Sequence, residues 1–163
     1  MKVIVLYASI SGNTEKVAKE IASELNCQII KLDEGSSSSA MNLSNFDLVF
    51  LGTGNYTGKP NAVMVDFLNK MDVKGRKKFA LFVTWIGREP SDKYVFDEVK
   101  GLVEAKGQVM MDNFFECLGQ GSPSVPRWVY LLLGLGALGH PNTEEFLYAR
   151  KWAKELAQRD GFS

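Results

Sequence analysis

Apolar, strand-like runs alternate with amphipathic segments along most of the chain. In the first amphipathic segment, Glu15–Leu25, apolar side chains recur every three to four residues, as on one face of a helix. Strands that alternate with helices predict an α/β fold, in which helices cover both faces of a parallel sheet and the connections are right-handed. The predicted strands are Val3–Tyr7, Gln28–Leu32, Asp47–Leu51, Lys78–Thr84 and Val109–Phe115, and further helices are predicted from Pro60, Ser91 and Asn142.

The length and composition fit one globular domain. The chain has 163 residues, of which 45% are apolar, so residues 1–163 are expected to form a single domain. With 19 basic and 19 acidic residues the net charge is zero, which argues against nucleic acid as the main partner. The sequence starts directly with a strand-like run, and its longest apolar run, 128–139, is shorter than the about 20 residues that cross a bilayer. We therefore expect no signal peptide, no membrane span and a cytoplasmic location.

The first loop of the predicted sheet has the composition of a phosphate site. It consists of Ser9, Ile10, Ser11, Gly12, Asn13 and Thr14, between a predicted strand and a predicted helix. The loop offers three hydroxyl groups, and its backbone N–H groups lie at a helix start, where the helix dipole favours an anion. Gly12 permits a tight bend, and the loop contains no Lys or Arg, so neutral donors would hold the anion. An ordinary strand-to-helix turn is the alternative interpretation.

Two further loops follow predicted strands and add large aromatic side chains. Because the carboxyl ends of parallel strands meet at one edge of the sheet, all three loops are expected side by side. Tyr56 and Trp85 could hold a flat conjugated ring, although each also fits a structural role, on a surface loop and in the core respectively. A phosphate at one end and a planar ring at the other describe flavin mononucleotide (FMN). The second loop contains Thr53, Gly54, Asn55, Tyr56, Thr57 and Gly58, and the third contains Thr84, Trp85, Ile86 and Gly87.

These three loops resemble those of the flavodoxin family, and the resemblance covers about the first 117 residues and the last predicted helix. It implies a three-layer, flavodoxin-like sandwich around a five-stranded parallel sheet in the order 2-1-3-4-5. It also implies bound FMN, which exchanges electrons one at a time with a redox partner protein. A carbonyl of the second loop would turn toward the ring on reduction, with Gly54 and Gly58 as the candidate positions. By the same resemblance, the phosphate would be held by Ser9, Ser11, Asn13 and Thr14, and the ring by residues of the other two loops.

Two features depart from the family pattern. Electron carriers of this family are usually strongly acidic, whereas this chain is neutral, so electrostatic steering toward basic partners should be weaker. The stretch from about 119 to 140 is an apolar insert that contains Arg127 and Trp128. It is interpreted either as a lid or partner-docking surface beside the ring or as an extra helix on the sheet. Two functions stay open, an electron carrier and an FMN-dependent NAD(P)H oxidoreductase acting on quinones or other small molecules, in a monomer or weak dimer.

Cysteine, histidine and glycine patterns predict no other site. Cys27 and Cys117 are expected at opposite edges of the sheet, roughly 19 Å apart over four strand spacings. A disulfide requires Cα atoms within about 7 Å, so two free thiols are expected. With one histidine, His140, and no paired cysteines, no metal site or catalytic residue is predicted. The segment Gly134–Gly139 has the spacing GxGxxG, but the single helix that follows it is too little for a dinucleotide-binding unit.

Overall fold

Helices and strands alternate along the chain, as the sequence predicts. A computed structural model describes residues 1–36, 41–86, 91–119, 128 and 139–160. The strands in this part of the chain are β1 (Val3–Tyr7), β2 (Gln28–Lys31), β3 (Leu48–Gly54), β4 (Lys78–Trp85), β5 (Val109–Met110) and β6 (Phe115–Leu118). The helices are α1 (Asn13–Leu25), α2 (Ala62–Lys70), α3 (Ser91–Ala105) and α4 (Thr143–Asp160), and a short 3-10 turn spans Leu43–Asn45.

All strand pairs of the sheet are parallel, in the order β2-β1-β3-β4-β5, which confirms the predicted order 2-1-3-4-5. At the centre of the sheet Val5 lies opposite Phe50, and Leu51 lies opposite Leu81. Strand order reverses between β1 and β3, so the loops that leave these two strands can diverge to opposite faces. The crevice between such loops is the usual ligand site of this architecture.

The edge beyond β4 differs from the prediction, which had one continuous strand over Val109–Phe115. Two short strands, β5 and β6, pair with successive parts of β4. Val109 lies opposite Lys78, and Phe115 lies opposite Phe82. The edge chain therefore takes six residue steps where β4 takes four. The two extra residues cannot pair, and this stretch includes Asp112 and Asn113, which are exposed and of types disfavoured in strands. The interruption leaves β6 beside the carboxyl half of β4, where its end reaches the edge that carries the loops.

Helices cover both faces of the sheet, and β3 is consequently buried at every position. On one face Phe50 meets Trp152 of α4 edge-on, with ring centroids 5.4 Å apart and planes at 74°. Burial of a large apolar side chain contributes about 1.5–3 kcal/mol, so these layers dominate the stability of the fold. The first core combines Val5, Phe50, Ala80 and Phe82 with Val17, Ile21, Ala149 and Ala153, and the second combines Ile4, Leu51 and Leu81 with Phe67, Val95 and Val99.

Side-chain caps determine where two helices begin. The side-chain oxygen of Asn61 accepts a hydrogen bond from the N–H of Val63 at 2.9 Å, so α2 starts just after Pro60. Asn142 accepts from the N–H groups of Glu144 and Glu145, both at 3.0 Å, and donates its own N–H to the Glu145 carboxylate at 2.8 Å. This reciprocal pair is a capping box at the start of α4, the helix predicted from Asn142.

Three further predictions concern thiols, membrane and the apolar insert. Cys27 and Cys117 are free thiols, as expected, and burial raises the pKa of Cys27 to about 11. No helix in the described part of the chain combines the length and apolar character needed to cross a membrane. Most of the predicted insert 119–140 lies outside the described residues, as does most of the GxGxxG segment. Within the insert, Trp128 is helical and 61% exposed.

Candidate functional site

The loops at the carboxyl ends of β1, β3 and β4 meet in a cleft of about 480 Å³. Nine of its ten lining residues belong to the predicted site, and none of the ten carries a formal charge at neutral pH. The tenth, Gly119, follows β6 directly and was not predicted as a site residue; its place just after an edge strand is the only signal in the sequence. The lining residues are Ile10, Ser11, Asn13, Gly54, Asn55, Tyr56, Thr84, Trp85, Ile86 and Gly119.

The first loop folds into a turn closed by its own side chains. The Ser9 hydroxyl accepts a hydrogen bond from the N–H of Gly12 at 3.0 Å, and the Ser11 hydroxyl accepts from the Asn13 side-chain amide at 3.0 Å. Gly12 is the N-cap of α1 with φ of +84°, a conformation that glycine adopts without strain. Helix α1 begins at Asn13, two residues before the predicted start at Glu15. The N–H groups of Asn13 and Thr14, the first two residues of this helix, therefore lie within the predicted loop.

A buried hydroxyl pair ties the first loop to β4. The hydroxyl oxygens of Thr14 and Thr84 are 2.8 Å apart, and the two residues are 1% and 5% exposed. Thr84 of β4 pairs with Gly54 of β3. The contact between Thr14 and Thr84 therefore joins the start of α1 to the centre of the carboxyl edge. A buried polar pair of this kind fixes the relative position of the elements that carry it.

The second loop is shorter than predicted, because β3 continues through Gly54 instead of ending at Leu51. The neighbouring strand β4 extends equally far, and Gly54 pairs with Thr84. Thr53 is fully buried; its hydroxyl accepts from the N–H of Asn61 at 2.8 Å and donates to the carbonyl of Gly54 at 3.0 Å. Thr53 thus holds the start of α2 and does not line the cleft.

The rest of the second loop is a two-residue reverse turn. Tyr56 and Lys59 exchange backbone hydrogen bonds at 2.8 and 3.2 Å, and the central residues Thr57 and Gly58 have φ of +56° and +84°. Two positive φ angles are the signature of a type I′ turn. The N–H of Gly58 also donates to the Asn55 side chain at 2.8 Å. Thr57 and Gly58 therefore form the tip of the turn and do not line the cleft.

Tyr56 reaches from the second loop back to the first. A Cβ atom on Gly54 would lie 2.8 Å from both the Cζ and the hydroxyl oxygen of Tyr56, so only glycine permits this approach. The N–H of Ile10 points at the Tyr56 hydroxyl from 3.4 Å, a long hydrogen bond. A second groove of about 1150 Å³ lies beyond Ile10 and Tyr56. Ser9 lines this groove instead of the cleft, together with Asp33, two residues after β2.

The third loop is described only as far as Ile86. Trp85 is the last residue of β4 and is half-buried in the cleft wall, whereas Ile86 is 38% exposed at the cleft mouth. The carbonyl of Trp85 accepts a hydrogen bond from the N–H of Gly119 at 2.7 Å. Gly87, which the sequence also assigns to the site, lies outside the described residues.

Charge close to the first loop is largely offset locally. Glu15, in the first turn of α1, accepts a hydrogen bond from Lys19 at 2.6 Å, and this bond lowers the pKa of Glu15. Burial raises the pKa of Tyr7, at the carboxyl end of β1. Among the described residues, no three His, Cys, Asp or Glu side chains are grouped to hold a metal ion. Within the first loop, the donors available for an anion are neutral hydroxyl and N–H groups, whereas Lys31 and Lys59 line the groove that Ser9 also lines.

Comparison with known proteins identifies a family, a relative of similar length and solved structures of the same fold. Residues 4–130 match the family model of the flavodoxin domain. An uncharacterized protein of Methanocaldococcus jannaschii is 32% identical over 158 residues, which cover 96% of this chain and 98% of that protein. Oxidised flavodoxin 1 from Bacillus cereus shares the fold, with a TM-score of 0.71, 18% identity, and 97% and 98% of the two chains covered. A flavoprotein from Lactobacillus acidophilus in complex with FMN has a TM-score of 0.51 and 20% identity, with 71% and 91% covered.

Proposed function

The chain belongs to the flavodoxin family, and from this premise we propose that it binds FMN at the carboxyl edge of the sheet and transfers electrons. The observation that carries the proposal is the turn Ser9–Thr14, which closes on its own hydroxyls at the start of α1 beside an uncharged cleft. Helix starts of this kind bind phosphate through backbone N–H groups. The cleft then has the composition expected for the ring at the other end of the cofactor.

At the phosphate end we assign the four family positions, Ser9, Ser11, Asn13 and Thr14. Thr14 can serve even though it contacts Thr84, because a hydroxyl can accept one hydrogen bond and still donate another. The N–H groups of the first turn of α1 add further donors. All of these groups are neutral, so they would hold a phosphate by hydrogen bonds aimed at its oxygens.

At the ring end we assign the cleft walls. Tyr56 and Trp85 supply aromatic surface, and Gly54 leaves room for the Tyr56 ring to lie close to β3. Asn55, Thr84 and Ile86 complete the walls, and Gly87 stays a prediction outside the described residues. When bound, FMN supplies the capacity to exchange one or two electrons. The chain's own part is to orient the ring, limit access of water and hold hydrogen-bonding groups near it.

The backbone at the turn tip is the better candidate for a carbonyl that changes direction. The N–H of Asn55 donates to the carbonyl of Thr84 at 2.9 Å, which fixes the peptide that follows Gly54 within the β3–β4 pairing. The peptide between Thr57 and Gly58 lies instead at the tip of the turn. Its N–H donates a hydrogen bond to the side chain of Asn55 and not to the backbone of a strand. We therefore assign the mobile carbonyl to this peptide and not to Gly54.

We propose a carrier that serves a redox partner protein, with an FMN-dependent NAD(P)H oxidoreductase as the alternative. None of the described cleft-lining residues is a cation that would recognise the phosphates of a nucleotide hydride donor, which favours the carrier. Arg88 and Arg127 lie outside the described residues. Docking of the partner at 119–140 and a cytoplasmic location remain predictions.

The test is a flavin titration of the purified protein, followed by reduction. Quenching of FMN fluorescence measures the dissociation constant; the FMN complex is then treated with NADPH and, separately, with dithionite. We expect FMN binding, reduction by dithionite and little reduction by NADPH over minutes. Rapid bleaching by NADPH would favour the oxidoreductase, and absence of FMN binding after reconstitution would refute the proposal.

A tyrosine pair provides the matched control for the ring site. Tyr56→Ala should weaken FMN binding about tenfold, because a lost aromatic contact costs about 0.5–1.5 kcal/mol beyond the lost burial. Tyr148→Ala removes a tyrosine that is 55% exposed on α4 and should leave FMN affinity unchanged. Equal effects of the two substitutions would contradict the assignment of Tyr56 to the ring site.

A further inference from the structure

We propose that the junction after β6, Leu118–Gly119, makes the flavin site selective for a phosphate-bearing ligand by holding the first loop in place. In this assignment Gly119 is a specificity-determining residue, and Glu145 is a positioning residue that acts through Leu118. The inference rests on the proposed function, since it concerns the phosphate end of the same site. It adds residues from the edge strand and from α4 to a site that otherwise comes from three loops.

Gly119 is packed directly against the first residue of α1. A Cβ atom at Gly119 would lie 3.0 Å from Nδ2, 3.3 Å from Cβ and 3.4 Å from Cγ of Asn13. Asn13 is itself only 5% exposed, and its Nδ2 donates to the hydroxyl of Ser11 at 3.0 Å. A side chain at position 119 would therefore displace the Asn13 amide and, through it, the Ser11 hydroxyl.

The backbone of Gly119 is held from the opposite side. Its N–H donates to the carbonyl of Trp85 at 2.7 Å, and Leu118 lies opposite Trp85 in the β4–β6 pairing. Gly119 cannot move away from Asn13 without breaking this hydrogen bond at the end of the sheet. The strain of an added methyl group is thus directed toward the first loop.

Glu145 fixes the residue before Gly119. One carboxylate oxygen accepts from the N–H of Leu118 at 3.0 Å, and the other accepts from the N–H of Asn142 at 2.8 Å. The second oxygen also lies 2.6 Å from Nδ1 of His140. One carboxylate therefore holds both Leu118 and His140, the residues on either side of 119–139. The capping box of α4 consequently has a second role at the carboxyl edge of the sheet.

Neutral donors make the phosphate end sensitive to small displacements. A lysine or arginine attracts an anion over several ångströms, whereas a neutral hydrogen bond weakens steeply when its distance or angle departs from the optimum. The first loop contains neither lysine nor arginine, so the hydrogen bonds that it can offer a phosphate depend on where its donors lie. Displacement of Asn13 and Ser11 should weaken FMN binding more than binding of riboflavin, which has the same ring but no phosphate.

The experiment compares FMN and riboflavin affinities, measured by fluorescence quenching, for wild type and five variants. Gly119→Ala should raise the FMN dissociation constant about tenfold while that of riboflavin changes less than about threefold. Glu145→Ala should likewise weaken FMN binding more than riboflavin binding. Glu145→Gln, which keeps one acceptor oxygen, should restore part of the preference for FMN. Gly101→Ala is the matched control, because a Cβ on this α3 glycine meets nothing within 4 Å.

Asn142→Ala separates positioning from helix capping. It removes the side-chain cap of α4 but leaves the bond between Glu145 and Leu118, so selectivity should persist even if α4 is destabilised. Thermal unfolding verifies that each variant is folded. If Gly119→Ala does not fold, the inference is tested by Glu145→Ala, which adds no atoms. The inference would be overturned if FMN and riboflavin binding were weakened equally in the folded Gly119 and Glu145 variants, or if neither affinity changed. The proposal that the wild type binds FMN would still stand. A wild-type protein that binds no flavin would overturn both proposals.

Discussion

The first and second loops reach the same cleft with different internal structures. The first, Ser9–Thr14, is closed by side-chain hydrogen bonds and is tied to β4 by the buried hydroxyl pair of Thr14 and Thr84. The second, Asn55–Lys59, is a type I′ turn closed mainly by local backbone bonds, with two residues at positive φ. One loop is positioned by tertiary contacts, and the other by its own turn geometry.

Under the proposed function, this difference suits the two loops to different tasks at the cofactor. A loop fixed by distant elements can hold donors at constant positions, which suits an ion of fixed shape such as phosphate. A turn that protrudes from a strand pair can change a peptide orientation at its tip without disturbing the sheet, which suits a group that must follow a change in the ring. The predictions below test this contrast, beginning with the largest expected effect.

Removing two hydroxyls from the first loop should produce the largest change. A hydrogen bond to a charged group contributes about 1.5–3 kcal/mol, so Ser9→Ala together with Ser11→Ala should weaken FMN binding by about 100-fold or more. Riboflavin affinity should fall only slightly, because under the proposed function the lost hydroxyls bind the phosphate that riboflavin lacks. Ser23→Ala, on the exposed side of α1, is the control, and fluorescence titration is the measurement. Parallel losses for both flavins would contradict the phosphate role of this loop.

The buried hydroxyl pair should show a non-additive stability effect. Thr14→Val or Thr84→Val alone leaves one buried hydroxyl without its partner and should lower the free energy of unfolding by about 1–3 kcal/mol. The double variant should lose clearly less than the sum, since both polar groups are replaced by apolar ones. Urea unfolding gives the four free energies of the cycle. Strict additivity would show that the pair does not tie the first loop to β4.

Substitution at the tip of the second loop should have a smaller, purely local effect. Gly58→Ala forces an L side chain into a left-handed conformation and should cost about 1–2 kcal/mol of unfolding free energy. The nearest atom to the new Cβ, in Tyr94, is 3.7 Å away, so steric overlap adds little. Gly101→Ala, within α3, should instead be neutral or stabilising by up to about 1 kcal/mol. A Gly58→Ala protein as stable as wild type would show that the turn does not need a positive φ there.

The arrangement of strands was predictable, whereas several element ends were not. Periodicity located the central strands and the helices because buried strands and amphipathic helices leave different apolar patterns. The end of β3 lies three residues beyond the predicted end, because Gly52–Gly54 pair with β4, and β4 ends one residue late, at Trp85, which pairs with Leu118 of β6. At the edge of the sheet, the pairing with β4 likewise divides one predicted strand into β5 and β6, which are separated by Asp112 and Asn113.

The candidate site divides in the same way. Residue types alone identified a hydroxyl-rich loop at a helix start and two loops with Tyr56 and Trp85, because these properties belong to short contiguous segments. Only the tertiary structure decided that Thr53 holds α2 instead of lining the cleft, and that Gly119 lies against Asn13. The same holds for the bond from Leu118 to Glu145, whose partners are 27 positions apart. Contacts between distant segments depend on strand register and helix packing, which no local pattern of residues specifies.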